Sequence, residues 1–168
     1  KMAIQMLEPR DIASIVTYSD TVSVLVPATR VTEREYIFDR IDTLFAGGST
    51  ALFAGVSKGA DELLKFFDAN MVNRVILLSD GLANVGPDSP EALGDLGASL
   101  GKMGVSVTTI GLGLGYNEDL MVRLAEKSDG NHAFVENARD LSRVFEYEFG
   151  DILSVVAQDI EIEVRCGA

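Results

Sequence analysis

Two short clusters carry side chains whose types and placement suit chemistry. Ser79-Asp80-Gly81 follows the apolar run of residues 74–79, and Gly48-Ser49-Thr50 stands at the entry to a helical pattern. Asp80 offers a carboxylate at a strand terminus and Thr50 a hydroxyl at a helix start. Both are hard oxygens, the donor type that Mg²⁺ prefers. Each also has a plainer reading, Ser49 or Thr50 as a helix N-cap and Asp80 as a turn carboxylate. Ser19 and Asp20 lie at another strand end, on a loop that rims the same place, while Gly81 and Asn84 shape the loop that positions Asp80.

Other chemistry is poorly supported. Gly111-Leu112-Gly113-Leu114-Gly115 follows a strand, but its spacing is G-x-G-x-G and it lies late in the chain, unlike a dinucleotide loop. Asp80 as a phosphoryl acceptor lacks neighbouring acidic ligands and a lysine at a strand end. Hydrolysis assisted by a metal lacks a recognisable general base. His132, the one histidine, opens a strand and reads as a packing or hydrogen-bonding residue. Cys166, the one cysteine, excludes an intrachain disulfide and a cysteine-rich zinc site. No enzyme is expected.

These residues need a scaffold. Residues 12–18 and Val22–Val26 read as strands joined by a tight turn, hence antiparallel neighbours. Thr32 and Glu35 make a capping box for a helix with Ile37, Ile41 and Leu44 in phase. The next helix aligns Leu52, Val56, Ala60, Leu63 and Phe67. Residues 74–79 contain a continuous apolar run, as in a strand of a parallel sheet buried on both faces, and Val105–Ile110 is another buried strand. Between them, Pro90 opens a helix with Leu93, Leu96, Leu100 and Met103 in phase, ended by Gly104. Asn117 caps a helix, His132–Val135 is a short strand, and residues 138–155 form a last helix with Leu141, Phe145, Phe149 and Ile152 inward. The acidic stretch Glu146–Asp151 is expected on that helix's solvated side. The fold class is α/β: a doubly wound, mostly parallel sheet with one antiparallel edge strand and helices on both faces. Residues 1–7 look like the tail of a helix whose beginning lies upstream, and the tail at 158–165 alternates as a strand with one wet face. The domain is therefore placed at 1–155, incomplete at its N-terminus, with 156–168 opening a following β module or extension.

The 168 residues contain 14 Lys and Arg against 26 Asp and Glu, a net charge of −12. That sign opposes binding to nucleic-acid phosphates and anionic lipid surfaces, and no stretch approaches the ~18 apolar residues of a membrane span.

Tyr18-Ser19-Asp20, Gly47-Gly48-Ser49-Thr50-Ala51-Leu52 and Leu77-Leu78-Ser79-Asp80-Gly81-Leu82-Ala83-Asn84 occur in that order. With Ile110-Gly111-Leu112-Gly113 and the closing helix, they resemble the von Willebrand factor type A (VWA) domain, most closely its bacterial members. The resemblance implies a Mg²⁺ or Mn²⁺ ion at a metal-ion-dependent adhesion site, with Thr50 and Asp80 as ligands and a partner protein's carboxylate completing the shell. The family's Asp-x-Ser-x-Ser motif is absent from these 168 residues. The family's arrangement puts the strand before that motif between residues 12–18 and 74–79, in mid-sheet. Metal binding is thus expected of the intact domain and weak or absent in this stretch, and strand exchange with another chain is a further expectation. The alternative is a metal-free scaffold, with a nucleotide-binding enzyme as a lesser one. Bacterial members occur in the cytoplasm and at the cell envelope, so the resemblance fixes no compartment.

Overall fold

A computed structural model describes residues 1–45, 47–137 and 139–153. In chain order it contains α1 (Met2–Met6), β1 (Ile12–Tyr18), β2 (Val22–Arg30), α2 (Arg34–Ile41), α3 (Leu52–Leu64) and β3 (Arg74–Ser79). Then follow α4 (Pro90–Lys102), β4 (Ser106–Leu112), α5 (Glu118–Lys127), β5 (His132–Val135) and α6 (Leu141–Leu153). The tail strand expected at 158–165, the boundary after 155 and Cys166 lie outside the described residues.

The strands β3, β4 and β5 form a parallel ladder in that order, with Arg74 opposite Ser106 and Thr109 opposite His132. β4 lies in the middle and is buried on both faces from Val107 to Gly111, Thr108 and Thr109 included. Its two faces meet different helices. Thr109 Oγ1 donates to the Met121 carbonyl of α5 at 3.0 Å, whereas Thr108 Oγ1 meets Glu148 of α6 at 3.5 Å. One apolar cluster fills the α3–α4–α5 side, built from Leu52, Val56, Leu77, Leu93, Val107 and Leu124. A second joins Ile4 of α1 to Val26, Val31 and Ile37.

β1 and β2 form a separate antiparallel pair, and among the described residues no ladder joins β1 to β3. The helix α3 spans both sheets on one side. Its Gly55 lies against the Tyr18 ring, its Gly59 against Val75, and its Glu62 accepts from the Ala28 N–H at 3.2 Å.

Local expectations fail where tertiary contacts intervene. The N-cap of α2 is Glu33, without a side-chain bond, not Thr32. The Val31 N–H reaches the Asp11 carbonyl at 3.0 Å just past the end of β2, and residues 31–32 form a turn that delays the helix by one residue. β2 runs on past Val26 through an exposed Pro27, in the stretch where the β1–β2 register shifts; a missing N–H is tolerated at such irregularities. Leu44, Phe67 and Met103 lie beyond their helices' ends and are exposed. Glu148, within the acidic stretch expected to face water, is buried and accepts from Asn131 Nδ2 at 3.1 Å. Pro90 and Asn117 do open α4 and α5, with Ser89 Oγ accepting from the Ala92 N–H and Asn117 Oδ1 from the Leu120 N–H.

Candidate functional site

The C-terminal ends of β1, β3 and β4 release three loops at one end of the molecule, where open α/β sheets place their ligands. Thr50 sits on a fourth loop, between α2 and α3, and this loop is tied to two of the others. The Ala51 N–H donates to the Ser19 carbonyl at 2.9 Å. The Thr50 N–H donates to Asn84 Oδ1 at 2.8 Å, and the Asn84 N–H returns to the Thr50 carbonyl at 3.2 Å. Asn84 therefore clasps Thr50 from both sides of its peptide unit. Helix α3 takes Ala51 as its cap with no side-chain bond, so neither Ser49 nor Thr50 serves as the N-cap.

Asp20 is exposed, and its Oδ1 accepts from the Ser49 N–H at 3.1 Å. The Ser49 side chain and then its backbone N–H hold the Asp20 carboxyl below its ordinary pKa. Gly48, at φ +91°, lies close beside Asp20 and Ser19. Asp80 is exposed at the end of β3. A Cβ on the following residue, Gly81, would stand 2.9 Å from the Thr50 hydroxyl. Glycine there lets the Asp80 loop touch the Thr50 loop, and Ser79 Oγ donates to the Gly81 carbonyl at 3.1 Å. The residues expected at the site, Ser19, Asp20, Gly48, Ser49, Thr50, Asp80, Gly81 and Asn84, thus lie on loops that touch one another.

Three further residues shape this end. The Tyr18 hydroxyl donates to the Leu78 carbonyl, bridging β1 and β3. Burial pushes its phenol pKa up and the Asp80 charge adds to that, while a hydrogen bond with Ser79 opposes both. Tyr116 lies over Gly111, where a Cβ would stand only 2.1 Å from the ring. The Tyr116 hydroxyl is 3.2 Å from His132 Nε2, and Thr109 Oγ1 is 2.9 Å from His132 Nδ1. Gly111 thus makes room for an aromatic side chain, and the partly buried histidine belongs to a hydrogen-bonded group with Thr109 and Tyr116. A cavity of about 200 Å³ beside Asp80 is lined by Leu78, Ser79, Ile110, Leu112 and Leu141.

The oxygens available near Asp80 are few for a divalent ion. Thr50 gives a hydroxyl and Asp80 a carboxylate, while Asp20 is engaged by Ser49. Among the described residues, no group of three or more His, Cys, Asp or Glu side chains converges closely enough to hold a metal. Octahedral Mg²⁺ keeps several waters, so with these two protein oxygens most of its shell would be water or oxygens from elsewhere.

An α/β domain with strand-end loops knotted into one polar face is the class that fold and site define. The chain belongs to the von Willebrand factor type A domain family, whose model matches residues 3–146. Members of this family are adhesion and scaffold modules rather than catalysts. The protein YfbK of Escherichia coli K12 is 30% identical over 166 residues, covering 98% of this chain and 29% of that protein. The chain thus spans less than a third of that relative's length. A von Willebrand factor type A structure from Catenulispora acidiphila superposes with a TM-score of 0.75 at 16% identity, covering 87% of this chain and 34% of that one. Proximal thread matrix protein 1 of the mussel byssus, in a form with a zinc-occupied MIDAS motif, superposes with a TM-score of 0.71 at 22% identity, covering 86% and 36%. The alternation of strands and helices, with β2 antiparallel at one edge, agrees with the fold class expected from the sequence.

Proposed function

We propose that the domain is a protein-interaction module acting as a metal-free structural scaffold, with the loops around Asp20, Thr50, Asp80 and Gly115 as its docking end. The observation that carries this reading is the clasp of Thr50 by Asn84, joined by the Asp20–Ser49 bond. These loops hold their arrangement by protein–protein hydrogen bonds, so the face needs no ion to form. Beside Gly81 and Gly115 in these loops stand Leu82 and Leu114, 59% and 92% exposed. The partner this face suits is a protein surface offering apolar contacts as well as polar ones. A phosphate backbone is disfavoured by the net charge of −12. Among the described residues, no helix is long and apolar enough to cross a membrane.

A second reading is favoured by the placement of the Thr50 hydroxyl against Gly81, one residue from Asp80. Here Thr50 and Asp80 are two ligands of Mg²⁺ or Mn²⁺, residues beyond those described supply others, and a partner carboxylate closes the shell.

Thermal unfolding of the wild type and Asp80→Ala, each with EDTA or with about 10 mM MgCl₂, separates the two. The scaffold reading expects the same Mg²⁺ response, within about 1 °C, in both proteins, because a 1 kcal/mol effect moves Tm by roughly 2–8 °C in domains of this size. A saturable Mg²⁺ stabilisation that Asp80→Ala removes would overturn it in favour of the metal reading.

A further inference from the structure

The tripeptide Ser-Asp-Gly occurs twice, as Ser79-Asp80-Gly81 after β3 and as Ser128-Asp129-Gly130 after α5. An Asp-Gly step can react with itself. The glycine amide nitrogen closes a five-membered ring when it bonds to the aspartate Cγ, and glycine has no Cβ to obstruct the closure. The tripeptide is the same at both places, so a difference in reactivity between them comes from the fold.

In both copies the serine is buried and the aspartate exposed, but the glycine nitrogens differ. The Gly130 N–H donates to the Ala125 carbonyl at 2.9 Å, closing the end of α5. Asp129 is held at φ +53°, and a Cβ on Gly130 would stand 2.0 Å from the Val107 carbonyl oxygen. Ser128 Oγ accepts from the Val107 N–H at 3.0 Å, which fixes the same turn to β4. This nucleophile is engaged and its backbone is wedged. The Gly81 N–H, by contrast, has no hydrogen-bond partner among the described residues. The bond from Ser79 Oγ goes to the Gly81 carbonyl and leaves the nitrogen open. The contact that a Cβ on Gly81 would meet, at 2.9 Å, is the Thr50 hydroxyl, the movable end of a side chain.

We infer that Asp80 is a site of spontaneous isomerisation to isoaspartate in the folded protein, and that the fold shields Asp129 from the same reaction. The Gly81 nitrogen attacks Asp80 Cγ and an N–Cγ bond forms. One carboxyl oxygen leaves as water with the acid proton and the amide proton, and a succinimide ring results. One water then reopens the ring. Attack at Cγ restores aspartate. Attack at the main-chain carbonyl carbon breaks its bond to the Gly81 nitrogen, so the chain now runs through Cγ and the free carboxylate sits directly on Cα. Water lost equals water regained, and nothing is oxidised or reduced. The product has one methylene more in its main chain, which displaces Gly81 from the Thr50 hydroxyl and relocates the carboxylate of the loop face. This inference rests on neither reading of the loops' function.

The test is prolonged incubation of the protein at neutral pH with EDTA, in water enriched in heavy oxygen. Proteolysis and mass spectrometry then place the label, since each ring opening writes one heavy oxygen into the residue, and chromatography separates the isoaspartyl peptide from its aspartyl twin. In the folded protein, label at Asp80 should exceed label at Asp129 by at least about tenfold, because an engaged and packed amide reacts only through local opening. In urea the two tripeptides should label alike, within about twofold, once the fold no longer distinguishes them. Asp80→Glu, which would need a six-membered ring, should lose the label at that position. Equal labelling of the two positions in the folded protein would overturn the inference. So would a folded protein whose Asp80 stays unlabelled while both positions label in urea. The readout involves neither metal nor partner, so its failure and that of the proposed function are told apart.

Discussion

His132 shows how one side chain can look like a ligand and serve the core. It lies between Thr109 and Tyr116, and burial lowers its pKa from 6.5, with the Glu118 charge opposing more weakly. A histidine whose folded pKa is depressed adds stability that is complete above its unfolded pKa and is lost as pH falls through the folded one. Wild-type stability should therefore decline more steeply than that of His132→Gln below about pH 6.5, as read by urea unfolding at several pH values. Parallel pH profiles for the two proteins would contradict this. At the residue scale, the position of Asp80 and Asn84 at the loop end of the sheet was legible because they follow a strand, whereas Thr50, between α2 and α3, is brought there by its bonds with Asn84. Tyr18 and Tyr116 were not legible. Their roles depend on which strand lies across from them and on the space left by Gly111, neither of which a local pattern encodes.

At the scale of elements, buried strands declared themselves best. The apolar run Val75–Leu78 of β3 reads directly as a strand of a parallel sheet, whereas the buried Thr108 and Thr109 of β4 make that strand less plain in its sequence. Helix starts were legible where a side chain makes the cap, at Ser89 and Asn117, and illegible at α2 and α3, where none does. There the strand bond of Val31 and the bond from Ala51 to Ser19 fix the chain instead. Pro27 hid the second half of β2, because a proline is tolerated where the register slips. Buried Glu148 was hidden among acidic neighbours, since only its Asn131 partner distinguishes it. The bridge between β1 and β3 gives an element-scale prediction. Tyr18→Phe keeps the ring against Gly55 but deletes the hydrogen bond to Leu78. It should cost about 0.5–1.5 kcal/mol in chemical denaturation. No change in stability would mean that the hydroxyl does not tie the two sheets together.

At the scale of the whole molecule, the two apolar clusters stand on different sheets, one packed by α3, α4 and α5 and the other by α1 and α2, while α3 touches both sheets. The antiparallel pair and the parallel ladder meet at the end where the loops converge, so the loop face is assembled from both halves. The net charge of −12 is spread over a domain whose loop end combines the carboxylates of Asp20 and Asp80 with exposed Leu82 and Leu114. Two independent sets of bonds hold that end: Ala51 to Ser19 with Ser49 to Asp20 on one side, and Asn84 to Thr50 on the other. The central claim is that these protein–protein bonds suffice to order the face.

The amide exchange rate of Thr50 in metal-free buffer tests that claim most directly. Its N–H, held at 2.8 Å from Asn84 Oδ1, should be protected in EDTA, unchanged by MgCl₂, and released in Asn84→Ala. A Thr50 amide that exchanges freely in EDTA and becomes protected only when Mg²⁺ is added would contradict the account.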